Sequence, residues 1–590
     1  MTASPPAESM RPRILPRVRV PARDGIGLTT DVYLPAAAEP RPTVVARTPY
    51  GRSRPFHMHL ARHLSDLGLC FVAQDCRGRY ASEGRYDLNL EERDTHDTLA
   101  WLRQQPFSDG KVALLGISVS TFSNLRAAAG ELPAGIEIAA LVNLMGVVDA
   151  HSLFYRGGAL VLHWALPWVT LMSPAHAGRS GWMELPWREI FDRRPLARLA
   201  GDTAGEEELW KNVVSRSLRD WAWEEVSALP GLKRIDAPTL SLGGWHDFLL
   251  GHTLEGFAGL DPEGQDSRHR LVIGPWNHQN LFYSFRGAQA GEKAHLDLMR
   301  LVGGWLRRQL LAAPEEAAAE AEGSAAEPRV LLSLLGADCW IGADRFPLTE
   351  AAEESFYLES EGAANSARGD GRLSRAAPPR AGRDHFAYDP ENPVPTCGGS
   401  LWPFSPLGLN AGPADQSAIE EREDVLVYTG EPLDAELVLV GKIAVELWVA
   451  SSARDTDFTA KLVDVDRLGR AMIVQDGITR ARYREGAGRE LLLEPQRPCL
   501  VRIELDATAY RFAAGHRLRL EVSSSNFPRY DRHPNSSGPL HTAQATTVAQ
   551  QTVFHGGNTR SRLILTTLDP GLLARKVWRP EGEAGGADAP

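Results

Sequence analysis

Ser118 follows a strand-like run and precedes a helix-like one, and this position could make its hydroxyl a nucleophile. The apolar residues 112–115 indicate a strand that ends at Gly116, and residues 122–129 favour a helix. A serine on the sharp turn between a strand and a helix stands clear of the sheet, where a base can reach it. The full motif is Gly-x-Ser-x-Gly, and here Ser120 takes the place of the last glycine. Ser118 is therefore a candidate nucleophile in a turn of altered sequence.

Two later strand-like runs are each followed by a residue that could complete the chemistry of such a serine. Asp247 comes after residues 238–242, and His278 comes after residues 270–273. A serine nucleophile needs a base to take its proton and an acid to orient the base. The order serine, acid, histidine is that of α/β-hydrolases, and the carboxyl ends of parallel strands meet at one edge of a sheet. We therefore expect Ser118, Asp247 and His278 to converge.

These candidates also have simpler interpretations. An aspartate after a strand often caps a helix, and a histidine after a strand is often a packed or surface residue. His246 and His252 are rival bases, since both lie near Asp247 in the sequence. The complete set in the correct order is harder to obtain by chance than any one of its members.

The tetrahedral intermediate of acyl transfer carries an oxyanion that needs hydrogen-bond donors. One candidate donor is the backbone N–H of Val119, directly after the serine. The second would come from the loop at residues 47–51, where either a backbone N–H or the Tyr50 hydroxyl could serve. The alternative for Tyr50 is a tyrosine that only packs in a turn.

Strand-like and helix-like runs alternate between residues 17 and 148, which predicts βαβ units and a mostly parallel sheet. The opening runs, 18–20 and 28–34, flank the turn signal Arg23-Asp24-Gly25 and predict an antiparallel hairpin at the sheet edge. Further strands are expected at 43–46 and 69–73, and helices at 59–67 and 91–104.

The pattern changes between residues 149 and 230, where helix-like stretches carry seven of the fifteen tryptophans. Strands resume at 238–242, so a helical insertion into one α/β domain is the simplest account, with a helix over 296–311 closing that domain. Aromatic walls suit an apolar or aromatic part of a substrate. The candidate pocket residues are Trp164, Trp168 and Trp245, although tryptophans in such a region often only pack its helices.

Residues 312–327 are acidic, alanine-rich and poor in apolar side chains, which is typical of a linker. Beyond this segment, short strand-like runs recur between turn residues, and they predict an antiparallel sandwich. These runs are 330–335, 436–440, 443–449, 458–463, 500–505, 517–522 and 562–567.

Composition narrows the class of protein. With 590 residues, 43% hydrophobic and 24% charged, the chain is typical of a globular protein of several domains. Its net charge of −11 disfavours nucleic acid as a partner. Five scattered cysteines and no metal-ligand spacing predict reduced thiols and no zinc site. Without an apolar leader or a run long enough to span a bilayer, we expect a cytoplasmic protein that does not bind membranes.

Several short motifs together resemble the bacterial cocaine esterase/X-Pro dipeptidyl peptidase family of α/β-hydrolases. The resemblance covers nearly the whole chain. Its motifs begin at residues 23, 47, 74, 244, 274, 412, 455 and 523, and they read RDG, RTPY, QDCRGRYASEG, GWHD, GPWNH, GPADQ, DTDFT and SSSNFP.

This resemblance implies an α/β-hydrolase domain with an inserted helical cap, followed by an all-β jelly roll. The implied bounds are 15–148 and 236–311 for the two parts of the hydrolase domain, 149–235 for the cap, 312–328 for the linker and 329–578 for the jelly roll. It also implies a triad of Ser118, Asp247 and His278, with Tyr50 and the Val119 N–H as the oxyanion hole. The family usually has Tyr where this chain has Val119 and Gly where it has Thr121, which predicts a reshaped pocket beside the serine.

We therefore expect a serine hydrolase that cleaves a small-molecule ester or amide through an acyl-enzyme and needs no cofactor or metal. An acyltransferase or cyclase would use the same acyl-enzyme. An X-Pro or aminoacyl peptidase would need a carboxylate for the substrate amine, and nothing marks one among Glu184, Glu189 and Asp192. A non-catalytic binding protein is the third class, and a homo-oligomeric state is left open.

Overall fold

One sheet of eleven strands organises the hydrolase part of the chain in this computed structural model, which describes residues 12–37, 39–281, 296–312, 328–337, 339–404 and 406–578. Its strands are β1 (Arg13–Pro21), β2 (Gly27–Leu34), β3 (Arg41–Thr48), β4 (Cys70–Asp75), β5 (Ser108–Ile117), β6 (Glu137–Leu144), β7 (Thr239–Gly244), β8 (His269–Gly274), β9 (Val330–Leu334), β10 (Cys339–Ala343) and the two-residue strand Val577–Trp578. They are arranged in the order β1-β2-β4-β3-β5-β6-β7-β8-β9-β10, and the two-residue strand pairs with β10.

The sheet is parallel from β4 to β9 and antiparallel at both edges. Both of its faces are buried, because successive side chains of β3 enter different cores: Val44 packs with Leu60 of helix α1 (Pro55–Asp66), and Val45 packs with Leu99 of helix α2 (Glu91–Arg103). A parallel sheet covered by helices on both faces is the α/β architecture expected from the alternating pattern.

Strand β6 is absent from the sequence prediction, yet it lies beside the candidate nucleophile. Its apolar run IAALVNL is short, and such runs fit a buried strand or a buried helix equally well. In the structure β6 pairs with β5 on one side and β7 on the other. Together with helix α3 (Val119–Ala129), which follows Ser118, it fixes the turn at the end of β5.

The cap consists of six helices between β6 and β7. They are α4 (Ala150–Phe154), α5 (Leu162–Met172), α6 (Trp187–Asp192), α7 (Leu199–Asp202), α8 (Glu207–Ser215) and α9 (Trp221–Glu224). Most are only one or two turns long, and α5 continues through Pro167. Short helices of this kind are stabilised by packing rather than by their own hydrogen bonds, and here the tryptophans Trp187 and Trp210 fill the interior of the cap.

Helices α10 (Leu250–Leu260) and α11 (Leu298–Leu311) follow β7 and β8, and β9 then pairs in parallel with β8. Residues 330–335 were expected to belong to the jelly roll, and in the structure this run pairs in parallel with β8 and so joins the hydrolase sheet. A strand, a helix and a further strand form a βαβ unit whose strands lie parallel. Strand-forming residues reveal the local conformation but not the partner strand.

The C-terminal domain is a second sheet of eleven strands, mostly antiparallel, in which the pairing of β15 with β21 closes the sheet. Its strands are β11 (Ala352–Glu359), β12 (Arg372–Ser374), β13 (Gly382–Tyr388), β14 (Leu426–Gly430), β15 (Leu437–Ser451), β16 (Asp457–Val465), β17 (Ala471–Arg480), β18 (Cys499–Phe512), β19 (Arg517–Ser523), β20 (Ala549–His555) and β21 (Arg562–Leu568). A last helix, α12 (Pro570–Lys576), returns the chain to β10.

This all-β domain contacts the cap through buried polar groups. Arg480 binds Asp457 at 2.8 Å and Asp531 at 2.9 Å, and Asp531 accepts a 2.8 Å bond from the Leu160 N–H of the cap. The cap is therefore bound directly to the all-β domain. The predicted linker 312–327 falls almost wholly outside the described residues, and none of the described helices is long and apolar enough to cross a membrane.

Candidate active site

Ser118 lies on the turn between β5 and α3, and its backbone is strained. Its φ of 57° and ψ of −127° form a combination that a residue with a side chain keeps only when its surroundings enforce it. The Ser118 N–H donates to the Leu144 carbonyl of β6 at 2.9 Å. The Ser118 carbonyl accepts from the N–H groups of Thr121 (3.1 Å) and Val147 (3.2 Å). These bonds hold Ser118 at the carboxyl edge of the sheet.

Two glycines opposite helix α3 explain how the altered turn packs. A methyl group on Gly116 would lie 2.6 Å from the Thr121 Cα, and one on Gly146 would lie 2.5 Å from the Thr121 Cγ2. Contacts this short do not occur in real structures. Position 116 therefore needs glycine whatever residue stands at 121, because its nearest contacts are backbone atoms, whereas position 146 needs glycine because of the Thr121 side chain. The turn that follows β6 thus accommodates the threonine that stands where the family usually has glycine.

Asp247 and His278 lie together after the adjacent strands β7 and β8. The His278 Nδ1 is 3.0 Å from the Asp247 Oδ1, and Asp247 also accepts a 3.2 Å bond from the Leu249 N–H. Asp247 is fully buried and His278 is only 5% exposed. A histidine that donates from Nδ1 to a carboxylate leaves Nε2 as the ring nitrogen that can accept a proton. The pair therefore has the arrangement of a base and its orienting acid.

The rival histidines have different surroundings. Burial lowers the pKa of His246 to about 4 and that of His252 to about 3. Among the described residues, neither ring lies within ion-pair distance of a carboxylate. Both are therefore neutral at pH 7, and His278 is the histidine that contacts Asp247.

Tyr50 lies in the loop after β3, and its hydroxyl accepts a 3.1 Å hydrogen bond from the Trp168 Nε1–H. Burial raises the pKa of Tyr50 above 10, and the interactions of its hydroxyl with Trp168 and Ser118 act in the opposite direction. The phenol is thus protonated at neutral pH and close to the candidate nucleophile. The Val119 N–H is at the first position of α3, where backbone N–H groups have no acceptor within the helix.

A cluster of aromatic side chains connects the cap to His278. Trp164 stacks on Trp168 at 5.3 Å between ring centroids and approaches Phe248 at 5.7 Å. Phe248 in turn lies 5.0 Å from the His278 ring, and Phe154 packs on both tryptophans. Phe154 and Phe248 were not among the predicted pocket residues, although Phe248 directly follows Asp247.

Trp245 lies apart from this cluster, so the structure contradicts the expectation that it lines the pocket with Trp164 and Trp168. Its indole N–H donates to the Ser333 carbonyl of β9 at 2.6 Å, and its ring packs among Leu250, Ile273 and other core residues. The Trp245 carbonyl accepts a bond from Gln475 of the C-terminal domain. Burial between β9 and that domain, neither of which is adjacent in sequence, explains its position.

A cavity of about 950 Å³ opens between the cap and the loops that follow β1 and β4. Its aromatic wall includes Tyr86, Phe154, Trp168, Trp221 and Trp223. Trp168 therefore faces this cavity and also reaches Tyr50. Within the described ranges, no group of three or more His, Cys, Asp or Glu side chains is arranged to hold a metal ion.

Comparison with known proteins agrees with this geometry. Residues 24–280 match the family described as X-Pro dipeptidyl-peptidase (S15 family), and residues 322–564 match the X-Pro dipeptidyl-peptidase C-terminal non-catalytic domain. A cocaine esterase from a Rhodococcus species is 34% identical over 548 residues, which cover 89% of this chain and 92% of the relative. The chain belongs to the cocaine esterase/X-Pro dipeptidyl-peptidase family. It is accordingly a serine hydrolase of the α/β-hydrolase type.

Solved structures show the same fold. An aminopeptidase from a Thaumarchaeota archaeon superimposes with a TM-score of 0.77 at 24% identity, and the match covers 96% of this chain and 98% of that one. An α-amino acid ester hydrolase gives the same TM-score and coverages at 23% identity. The predicted hydrolase domain followed by an all-β domain is thereby confirmed as the architecture of this member of the cocaine esterase/X-Pro dipeptidyl-peptidase family.

Proposed function

We propose that Ser118, His278 and Asp247 are the catalytic triad of an esterase. The main support for this proposal is the buried contact between His278 and Asp247. This pair lies at the same edge of the sheet as the strained Ser118. Ser118 follows β5, Asp247 follows β7 and His278 follows β8, and these strands are all parallel. The side-chain types, their order in the chain and this shared edge support a nucleophile, a base and an orienting acid.

The roles follow from the chemistry of each group. The Ser118 hydroxyl attacks the ester carbonyl while its proton passes to the Nε2 of His278. The Asp247 carboxylate holds the ring and stabilises the imidazolium that forms. The Tyr50 hydroxyl and the Val119 N–H donate to the oxyanion. His278 then protonates the departing alcohol, and a water molecule hydrolyses the acyl-enzyme by the same steps in reverse order.

The aromatic cluster supports an ester with an apolar or aromatic group as the substrate. Trp164 and Trp168 of the cap reach His278 through Phe248, and large aromatic faces bind such groups well. The Rhodococcus relative acts, by its name, on an ester of this kind. A small aryl ester is therefore the first substrate to try.

Labelling with a fluorophosphonate tests the assignment of the nucleophile. Wild-type enzyme should be labelled and should hydrolyse aryl esters, whereas Ser118→Ala should lose the label and at least about 10³-fold in kcat. Ser120→Ala, which alters the neighbouring buried serine, is the matched control and should keep the label. Labelling of Ser118→Ala, or its loss in Ser120→Ala, would refute the assignment.

We also propose a cytoplasmic location. Cys70, Cys76, Cys397 and Cys499 are free thiols. Burial raises the pKa of Cys70 to about 12 and that of Cys76 well above 9, so both are inert packing residues. Reduced cysteines of this kind are typical of reducing compartments. Subcellular fractionation of the source cells, followed by the fluorophosphonate label, tests this location.

A further inference from the structure

Arg79 is a fully buried arginine whose guanidinium connects two parts of the molecule. It links the cap to the loop that holds Tyr50, the candidate oxyanion donor. Its Nε–H donates to the Pro49 carbonyl at 3.0 Å, directly before Tyr50. Its other two nitrogens donate to the carbonyls of Met172 (2.9 Å) and Leu171 (3.0 Å) at the end of α5. The last carbonyls of a helix have no N–H donor within the helix. The guanidinium supplies donors to two of them. Arg79 belongs to the motif at residues 74–84, which has no part in the proposed triad or oxyanion hole.

The charge of Arg79 has no carboxylate partner. Among the described residues, no Asp or Glu oxygen lies within 4.0 Å of its guanidinium, and the three carbonyls are its hydrogen-bond acceptors. Burial lowers the pKa of Arg79, and its charge lowers the pKa of Tyr50. A buried arginine is usually paired with an acid, because an unpaired buried charge is costly. Here the negative end of α5 supplies part of the compensation.

The same helix also reaches the side chain of Tyr50. Trp168, one turn before the end of α5, donates its indole N–H to the Tyr50 hydroxyl oxygen at 3.1 Å. A phenol has one proton to donate. Because Trp168 donates to the Tyr50 oxygen, the O–H of Tyr50 is directed away from the indole N–H. Helix α5 therefore holds the loop through Arg79 and orients the hydroxyl through Trp168.

We propose that Arg79 and Trp168 are positioning residues for the oxyanion hole, which the cap helix α5 aligns by fixing the backbone before Tyr50 and the direction of its O–H. The unpaired positive charge of Arg79 also stabilises negative charge that develops beside Tyr50 during acyl transfer. This inference rests on the proposed role of Tyr50 as an oxyanion donor. It makes the catalytic geometry of the hydrolase domain dependent on the docking of the cap.

A double-mutant cycle tests the role of Trp168. Trp168→Phe removes the N–H and retains an aromatic ring, and Tyr50→Phe removes the acceptor. We expect kcat on an aryl ester to fall about 10²-fold in Tyr50→Phe and about tenfold in Trp168→Phe. In the Tyr50→Phe background, Trp168→Phe should cost less than twofold, because it acts through the hydroxyl. KM should change less than twofold in Tyr50→Phe, because the oxyanion forms only during the reaction.

The outcomes separate this proposal from the one on which it rests. If Tyr50→Phe leaves kcat unchanged, the oxyanion role of Tyr50 and this inference both fail. If Tyr50→Phe lowers kcat but the losses of Tyr50→Phe and Trp168→Phe multiply in the double variant, only the inference fails. Trp210→Phe is the matched control, because it removes an indole N–H bond of 2.7 Å to the Leu196 carbonyl within the cap. It should lower thermal stability without changing kcat.

Inhibition by phenylboronic acid tests the role of Arg79. This probe forms a tetrahedral adduct with an active-site serine and so requires the oxyanion hole. Arg79→Lys retains the charge, and Arg79→Met retains only the apolar stem. We expect the inhibition constant to rise about threefold in Arg79→Lys and more than tenfold in Arg79→Met. Equal values for the two variants would show that Arg79 only docks the cap and would overturn its electrostatic role.

Discussion

The contact of Asp247 with His278 determines which ring nitrogen of the histidine can act as the base. The Asp247 Oδ1 accepts from the Nδ1 of His278, which leaves Nε2 unprotonated and able to take the serine proton. An asparagine at this position has a similar shape, but its amide group can donate to Nδ1. The proton would then be on Nε2, and the ring could no longer act as the base.

Asp247→Asn should therefore lower kcat by about 10³-fold to 10⁴-fold with little change in KM. Steady-state hydrolysis of an aryl ester measures both constants. Asp266→Asn is the control, because Asp266 lies 3.5 Å from His269 outside the site and is the acid of another aspartate–histidine pair. A decrease of less than tenfold in Asp247→Asn would contradict the assignment of the acid.

The turn between β5 and α3 shows how an element tolerates an altered motif. Thr121 replaces a residue that is usually glycine in the family, and the threonine side chain occupies space next to Gly146. The nearest atoms to a methyl group on Gly146 would all belong to the Thr121 side chain. The clash therefore depends on Thr121 and should be reversible.

Gly146→Ala should destabilise the protein by about 1–3 kcal/mol and reduce fluorophosphonate labelling, because overpacking displaces the turn that carries Ser118. Adding Thr121→Gly should restore most of the labelling. Thermal unfolding and labelling rate are the two measurements. Gly304→Ala on α11 is the matched control, since nothing lies within 4 Å of its new methyl group, and it should be neutral or stabilising. A double variant that labels no better than Gly146→Ala would disprove this packing argument.

At the scale of the whole molecule, buried neutral histidines make stability depend on pH. Burial lowers the pKa of His163 and His252 to about 3, and that of His57 and His246 to about 4. In the unfolded chain a histidine takes up a proton near pH 6.5. Between pH 6.5 and 4 the unfolded state therefore binds more protons, so stability decreases as the pH falls through this window.

Each such histidine should contribute a slope of up to about 1.4 kcal/mol per pH unit between pH 6 and pH 5. Urea unfolding at pH 7, 6 and 5 measures the total effect. His163→Gln should reduce the slope by the share of one histidine, because the Gln oxygen can accept the Trp402 N–H without titrating. Equal slopes for wild type and His163→Gln would exclude this explanation for His163.

The hydrolase sheet also depends on strands that lie after the linker in sequence. Leu332 and Ile341, from β9 and β10, pack with Leu271 and Ile273 of β8 in one core. A chain ending after Pro328 would expose this apolar surface together with the edge of β8, and exposed edges of this kind aggregate. We expect that fragment to be insoluble or unlabelled by a fluorophosphonate, as judged by size-exclusion chromatography and labelling. A soluble, labelled fragment would show that the sheet is complete without β9.

The sequence alone was sufficient for the order of the candidate triad and for the alternation that predicts a parallel sheet, because each candidate residue and each strand is recognised from the residues next to it. Ser118, Asp247 and His278 could be placed after strands from local patterns of apolar residues. The hairpin of β1 and β2 could be predicted in the same way. These features depend on backbone conformation over a few residues.

Contacts between distant segments were decided by the tertiary structure. It places His278, rather than His246 or His252, against Asp247, and it buries Trp245 under the C-terminal domain. It also adds β9 to the hydrolase sheet and brings Arg79 to the end of α5. Local patterns reveal that a segment forms a strand or a helix, but its partner is selected by the packing of the whole chain.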